Sequence, residues 1–429
     1  MKTLDQIASE LQGYDPQALS AQAVDEFLAR LAAPLGQAET VSLFDAPGRV
    51  LAQDIVSPVS VPPHDNSAMD GYAFHGAALQ AGQPLDLEVV GTALAGAAWR
   101  GTVGAGQCVK IMTGAIMPAG LDTVVPQEFV KVRESGGATR VSIPPGLLQA
   151  GDNRRLAGED LMRDQPALHA GERLGPAACG LIASLGLPEV RVTRRLKVAY
   201  FSTGDEILSL GEAPREGAVY DSNRHTVRAL LARLGCEVID LGVVRDDPAL
   251  LRRAFSDAAS QADAVITSGG VSVGEADFTK AMMRELGDVA FWKIAMRPGR
   301  PMAVGRIAAG GRHAILFGLP GNPVAVMVTF LAFVRPALLR MMGARPEPAV
   351  LLRARSTEAI RKKPGRTEYQ RGIVTRTAEG GLQVRTTGNQ GSGVLSSMVQ
   401  ANGLIVLHHA QGSVAAGDEV DVMPFDGAI

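Results

Sequence analysis

Six carboxylates follow apolar runs in the middle of the chain: Asp205 and Glu206 in "TGDE" (203–206), Asp246 and Asp247 in "RDD" (245–247), Glu275 and Asp277 in "SGGVSVGEAD" (268–277). The last segment also carries Ser268, Gly269 and Gly270. Small residues at a turn can aim backbone N–H groups at a phosphate. Acids repel one unless a cation lies between. Mg²⁺ takes a few carboxylates together with phosphate oxygens and water, so it reconciles the two halves of that segment. Lys293, Arg297 and Arg300, around "RPGRP" (297–301), add positive charge suited to an oxyanion. Plainer readings stand beside these. "SGG" also makes a tight turn, Asp247 before Pro248 reads as a helix cap, and Asp277 either caps its helix or faces the cation. Glu206 and Asp246 have no such structural role.

A second polar group lies upstream. "DNSAMDGY" (65–72) and "MTGAIMPAG" (112–120) interrupt β-branched segments. The first packs two acids, an Asn, a Ser and a Gly into eight residues, and reads as a binding loop rather than a plain turn. There is no GxGxxG fingerprint or P-loop to indicate a dinucleotide or NTP-hydrolysing fold. His64 beside Asp65 is one adjacency and no triad.

The positioning elements follow from periodicity. Residues 196–202, 236–244, 263–268 and 313–318 read as buried strands, and 289–296 as extended. Helices are expected over 221–235, capped by Asp221 or Ser222 and ended by Gly235, then over 247–261, 277–287 and from Asn322 to about Met342. Strand and helix alternating in this way give a parallel sheet with helices on both faces. Its ligand crevice lies outside the carboxyl ends of the strands, where the acidic and glycine-rich loops fall. The expected architecture is α/β multidomain: a doubly wound parallel-sheet domain (196–343), a β-rich N-terminal module (51–145) and a small C-terminal β domain (344–429). A helical and connector domain is expected from 1–50 with 146–195.

Bulk composition narrows the partners. Of 429 residues, 46% are apolar, 20% charged and 4% aromatic, with a net charge of −2. Neither a basic face nor stacking platforms for nucleic acid are indicated. The N-terminus lacks a signal-peptide pattern, and the longest apolar run, Val324 to Leu339, reads as a buried helix. Three scattered cysteines suit a reducing, cytoplasmic setting and no zinc site.

Taken together, "DNSAMDGYA", "IMTGA", "RRLAGED", "FSTGDE", "YDSNRHTVRALLARLGCEVIDLGVVRDDP", "SGGVSVGEADFTK" and "GLPGNPVAV" resemble the molybdopterin molybdenumtransferases, the bacterial MoeA proteins related to the C-terminal domain of gephyrin. The match runs in order over nearly the whole chain. The resemblance implies the last step of molybdenum cofactor synthesis. Adenylyl-molybdopterin is hydrolysed to AMP and molybdate is inserted at the dithiolene, with Mg²⁺ required. It implies an elongated homodimer of four-domain subunits, with the cleft between the α/β domain of one subunit and the β-rich module of the other. Its pathway neighbours would be the molybdopterin adenylyltransferase upstream and molybdoenzymes or their chaperones downstream.

The metal sits on the cofactor's own sulfurs, so no Cys or His cage is needed. By resemblance Asp65, Asp160, Glu206, Asp246 and Asp277 are catalytic, the last three also metal-binding. Thr113, Ser268, Gly269, Gly270, Ser272, Lys293, Arg297, Arg300, Pro301, Asn322, Arg371 and Ser397 are substrate-binding. Two departures stand out: "RPGRP" has Arg where many members have Lys, and Ala325 stands where many have Ser. A single-domain adenylyltransferase would lack "DNSAMDGYA", and an idle scaffold would not need the acids at 65, 160, 206, 246 and 277.

Overall fold

The structure, a computed structural model, describes residues 2–270 and 277–425. Its centre is a six-stranded sheet built from β1 (Lys197–Thr203), β2 (Glu237–Val244), β3 (Ala264–Ser268), β4 (Gly287–Lys293), β5 (Pro301–Ala309) and β6 (Arg312–Leu319). The order is β2-β1-β3-β6-β5-β4. The four strands β2, β1, β3 and β6 are parallel; β5 runs antiparallel to both its neighbours, β6 and β4, so β4 points the same way as the four. Strand β5 is not evident from sequence, because Gly305 and Arg306 break its apolar run and Pro301 opens it. Gly310 and Gly311, at φ 58° and 75°, close a two-residue hairpin from Ala309 to Arg312. That geometry needs positive φ at both turn positions.

The helices form where their caps predict. In α1 (Ser222–Leu234), Asp221 accepts the Arg224 N–H and Gly235 closes the end at φ 78°. In α2 (Pro248–Gln261), Asp247 accepts the N–H groups of Ala249 and Leu250, with Pro248 in the first turn. Helix α3 spans Asp277–Leu286. Helix α4 covers Pro323–Met341 and is long and apolar enough to cross a membrane, but two-thirds of its most apolar stretch is buried in the core. Residues of α1 and α4 pack with Val198, Tyr200 and Ile266 on one face of the sheet. Those of α2 and α3 pack with Phe201, Val265 and Leu316 on the other. The alternation along β1 and β3 follows from the two-residue pleat.

The α1/α4 face also gathers distant residues. Leu4, Ile7, Phe27 and Leu28 come from helices Leu4–Ser9 and Ala21–Leu31, and Tyr369, Met398, Leu404 and Val406 from the C-terminal part. Phe27 meets Trp292 edge-on at 4.9 Å, and the Trp292 indole N–H donates to Tyr14 Oη at 2.9 Å. By packing, the first thirty-odd residues therefore go with the central sheet. Residues 38–42 instead pair antiparallel with 189–193, above a small cluster that includes Leu51, Ile182 and Val192.

The β-rich module holds a six-stranded sheet between Gly71 and Ile143. Its two apolar clusters draw only on residues 72–148. The C-terminal part forms another six-stranded sheet, whose first strand is Met296–Arg297, lent by the central domain and paired with Thr367 and Glu368. At the base of β3, Asp263 receives a two-pronged bond from Arg194 (2.7 and 2.7 Å) and the Lys197 N–H (2.8 Å).

Candidate active site

Register decides which loops meet. Strands β1, β2, β3 and β6 are parallel, so 204–206, 245–247, 269–270 and 320–322 leave the same edge of the sheet. Strand β5 runs against β6, pairing Ala303 with Gly318, and β4 pairs Lys293 with Pro301. The start of β5 and the end of β4 thus lie at that edge too. Loop 294–300, with Arg297 and Arg300 exposed, therefore joins the acidic and glycine-rich loops.

The two faces of this edge differ. Tyr200, Ser202 and Ser268 lie on the α1/α4 face, buried, with Tyr200 Oη bridging Ser202 Oγ (2.9 Å) and Ser268 Oγ (2.7 Å). Ser268 is therefore part of a hydroxyl cluster beneath the turn. Gly269 follows at φ 93°, and a Cβ there would stand 2.4 Å from the Thr203 carbonyl oxygen. Gly270 also has positive φ, 67°. The turn needs glycine because of conformation and close approach.

Acids gather over the other face. The Asp246 N–H donates to Asp205 Oδ1 at 3.4 Å, and the Glu206 carboxylate folds back over Gly204. Arg215 donates to the Asp205 carbonyl. Burial, then the charges of Asp205 and Glu206, push the Asp246 carboxyl above its ordinary range. The Thr203 hydroxyl lies near enough to offset part of that rise, yet forms no hydrogen bond of normal geometry. Among the described residues no three acidic, His or Cys groups form a protein-only metal cage. An acidic cluster of this kind, short of a full protein cage, does fit a cation completed by phosphate oxygens. Asp277 opens α3, and Ser272 lies outside the described residues.

Positive charge collects across loop 294–300. The Ile294 N–H donates to the Arg300 carbonyl at 2.7 Å, and the Thr367 N–H donates to the Ala295 carbonyl at 2.9 Å. This ties the loop to the C-terminal sheet. Arg371 is 1% exposed there. It donates from Nε to Ser397 Oγ (2.9 Å) and from Nη2 to the carbonyls of Asn389 (3.2 Å) and Gly391 (3.0 Å). All three acceptors are neutral. Burial, then nearby Arg297, pulls the guanidinium pKa down to about 10. Arg371 and Ser397 are thus brought together. The loop they hold reaches α4, whose Val324 N–H donates to the Ser392 carbonyl at 3.0 Å. Asn322, exposed, precedes that helix.

The module gathers its own set. Asn66 and Ser67 pair with Arg155 and Arg154, and Ser67 exchanges backbone bonds with Gly114 and Ala115. Loops 65–70, 112–117 and 154–160 therefore lie side by side. Asp65 Oδ1 accepts the Ala157 N–H at 2.8 Å, and Arg154 lies 3.6 Å from Oδ2. Asp160 is exposed, its N–H on the Val61 carbonyl. Thr113 donates both its N–H (2.7 Å) and its hydroxyl (2.8 Å) to Asp70 Oδ1, which lowers the Asp70 pKa. Asp70 was not singled out from sequence, although it lies inside "DNSAMDGY".

Buried side-chain nitrogen and oxygen atoms without a hydrogen-bond partner, among the described residues, fall only in these two places. They are Thr203 Oγ1, Thr267 Oγ1, Asp221 Oδ2 and Asn223 Oδ1 in the central domain, and Asn66 Oδ1 and Arg154 Nε in the module. Buried groups are normally satisfied, so such atoms mark places where something else binds. Sequence reading gave Asp221 only a capping role and passed over Asn223 and Tyr200.

Comparison with known proteins agrees with this layout. Residues 20–186 match a model described as MoeA N-terminal region (domain I and II). Residues 199–340 match a probable molybdopterin binding domain, and 353–425 the MoeA C-terminal region (domain IV). A molybdopterin molybdenumtransferase of Haemophilus influenzae is 43% identical over 94% of this chain and 98% of its own. One from Nostoc is 36% identical over 90% and 88%. A crystal structure of the molybdopterin biosynthesis moeA protein from Pyrococcus horikoshii superposes with a TM-score of 0.80 at 27% identity, covering 95% of this chain and all of that one.

Proposed function

Because the chain belongs to the MoeA family of molybdopterin molybdenumtransferases, we propose that it uses the sheet edge to complete molybdenum cofactor synthesis. Adenylyl-molybdopterin is hydrolysed to AMP, and molybdate is inserted at the freed molybdopterin's dithiolene. The observation that carries this reading is the division of one edge into an acidic end, at Glu206 and Asp246, and a cationic end, at Arg297, Arg300 and Arg371. A phosphoanhydride beside a cation suits the first, and a tetrahedral oxyanion the second.

Glu206 and Asp246, with Asp277, would hold Mg²⁺, which when bound neutralises charge developing on the phosphoanhydride. The turn at Ser268, Gly269 and Gly270 cradles a phosphate through backbone N–H groups. Asn322 borders the same crevice; Ser272 is assigned to the substrate by family resemblance alone. Lys293, Arg297, Arg300 and Pro301 face the molybdate, with Arg371 and Ser397 holding the wall behind them. Arginine's fork offers more donors to the oxyanion than lysine at 297 and 300, and this offsets the hydroxyl absent at Ala325. The water that attacks phosphorus surrenders its proton to a carboxylate. One oxo group of molybdate leaves as water with the two thiol protons when both sulfurs bind. Asp65, Thr113 and Asp160 enter from the module of a second copy, giving a cytoplasmic homodimer. The module's separate core supports this, since it leaves the 65–160 cluster free to serve a neighbour.

The test is AMP release from adenylyl-molybdopterin by purified protein with Mg²⁺. Release that depends on molybdate is expected. Release indifferent to molybdate removes the insertion reading.

A further inference from the structure

The first turn of α1 holds two buried oxygens with nothing to accept. Asp221 is 3% exposed and Asn223 is 8% exposed. Asp221 Oδ1 is occupied by the Arg224 N–H at 3.0 Å, whereas Oδ2 has no partner among the described residues. The Asn223 amide is oriented without ambiguity. Its Nδ2 donates to the Gly321 carbonyl at 2.7 Å, which can only accept, so the unpartnered atom is the acceptor Oδ1. That bond also ties the turn to the loop following β6, at the ligand edge. Tyr200 senses the Asp221 charge, so the hydroxyl cluster with Ser202 and Ser268 is close by. Two acceptors left unmet in the interior are unfavourable, and a donor from a ligand relieves them.

Two acceptors call for an edge with two donors. A pterin ring has one: its ring N3–H lies beside its 2-amino group. Adenine offers a single amino group flanked by acceptors and would need a donor from this turn. We infer that Asp221 Oδ2 and Asn223 Oδ1 read the donor edge of the substrate's pterin ring, on the α1 side of the sheet edge, opposite the acids. This rests on the function proposed above and assigns the orientation of the heterocycle within it.

Asp221→Asn is a near-isosteric test. Asparagine keeps the capping oxygen for Arg224 and turns the free acceptor into a donor. Asp221→Ser keeps a cap and supplies no free oxygen in that place. Binding of 6-hydroxymethylpterin, adenylyl-molybdopterin and AMP is measured by calorimetry, with melting temperature as a fold control. Both variants should weaken the two pterin-bearing ligands at least tenfold and leave AMP within twofold. Unchanged pterin affinity overturns the inference and leaves the two oxygens to trapped water. Loss of AMP affinity with pterin retained overturns it in favour of adenine. Equal loss of all three ligands, or a collapsed melting temperature in both variants, also overturns it. Failure of the wild type to release AMP would remove the proposed reaction, while 6-hydroxymethylpterin still tests the turn by itself.

Discussion

Gly269→Ala probes the phosphate turn with a size set by the structure. The added Cβ would sit 2.4 Å from the Thr203 carbonyl oxygen and 3.3 Å from Thr203 Oγ1. The first distance is about 1 Å inside ordinary van der Waals contact. The residue also sits at φ 93°, where a side chain costs about 1–2 kcal/mol. If the turn stays in place, the bond from its N–H to the Leu319 carbonyl (3.2 Å) is strained as well, for about 1 kcal/mol more. If the turn instead shifts by the missing ~1 Å, stability suffers less, but its N–H groups no longer meet the phosphate. A displacement of that size costs roughly 100-fold in rate. Gly311→Ala is the control: its φ is 75° with open space around it, so it carries the conformational cost alone. Urea denaturation and AMP release should separate the two. Gly311→Ala loses about 1–2 kcal/mol and keeps its turnover. Gly269→Ala loses turnover by about two orders of magnitude. Full turnover in Gly269→Ala, with a stability loss like that of the control, would refute the placement of this turn in the site.

Glu206→Gln should lower AMP release by about 100-fold or more. Asp247→Asn should stay within about threefold, because asparagine caps α2 about as well as aspartate; equal losses would refute the role division. Asp246 has a raised folded pKa, so its ionisation opposes folding as pH climbs through and above its ordinary range. The unliganded Asp246→Asn variant should therefore melt higher than wild type at pH 7, with the gain shrinking toward pH 4. Mg²⁺ should raise the melting temperature of the wild type more than that of the variant. Asp263 behaves oppositely. Burial works to raise its pKa, but Arg194 and the Lys197 N–H outweigh it and the net shift is downward. Its contribution is present above the ordinary carboxylate range and is lost as pH falls through the depressed value. Asp263→Asn should cost about 3–5 kcal/mol in urea denaturation at pH 7, and that difference should narrow in acid. Arg371→Lys keeps the charge but loses the fork. It should raise the half-saturating molybdate concentration roughly 10-fold or more, with little change for adenylyl-molybdopterin.

Much of the central domain was legible because its signals are local. Asp221, Asp247, Pro248 and Gly235 announce helix ends through backbone chemistry that acts within a few residues. Strand β5 was hidden because its partners are defined by pairing across the sheet, and it starts at Pro301, directly after the arginines of the anion loop. The packing of residues 4–31 against the central sheet was hidden for the same reason, since an amphipathic helix declares an apolar face and not its target. In the site, Glu206 and Asp246 stood out because no cap or turn explained them. Asp70 and Asn223 were passed over because their partners, Thr113 and Gly321, lie 43 and 98 residues away. Arg371 shows the limit most plainly: a charged residue reads as surface, and only the fold reveals a cation enclosed by carbonyls and a hydroxyl.

The core shared by Leu4 and Val406 has a consequence for how the protein is made. A chain emerging from the ribosome can close the module early, since residues 72–148 complete its clusters. The cluster on the α1/α4 face of the central sheet is complete only when Leu404 and Val406 join it. Contacts that distant in sequence form slowly. The strands of the C-terminal sheet thus act as a latch on the helices Leu4–Ser9 and Ala21–Leu31 across the central sheet.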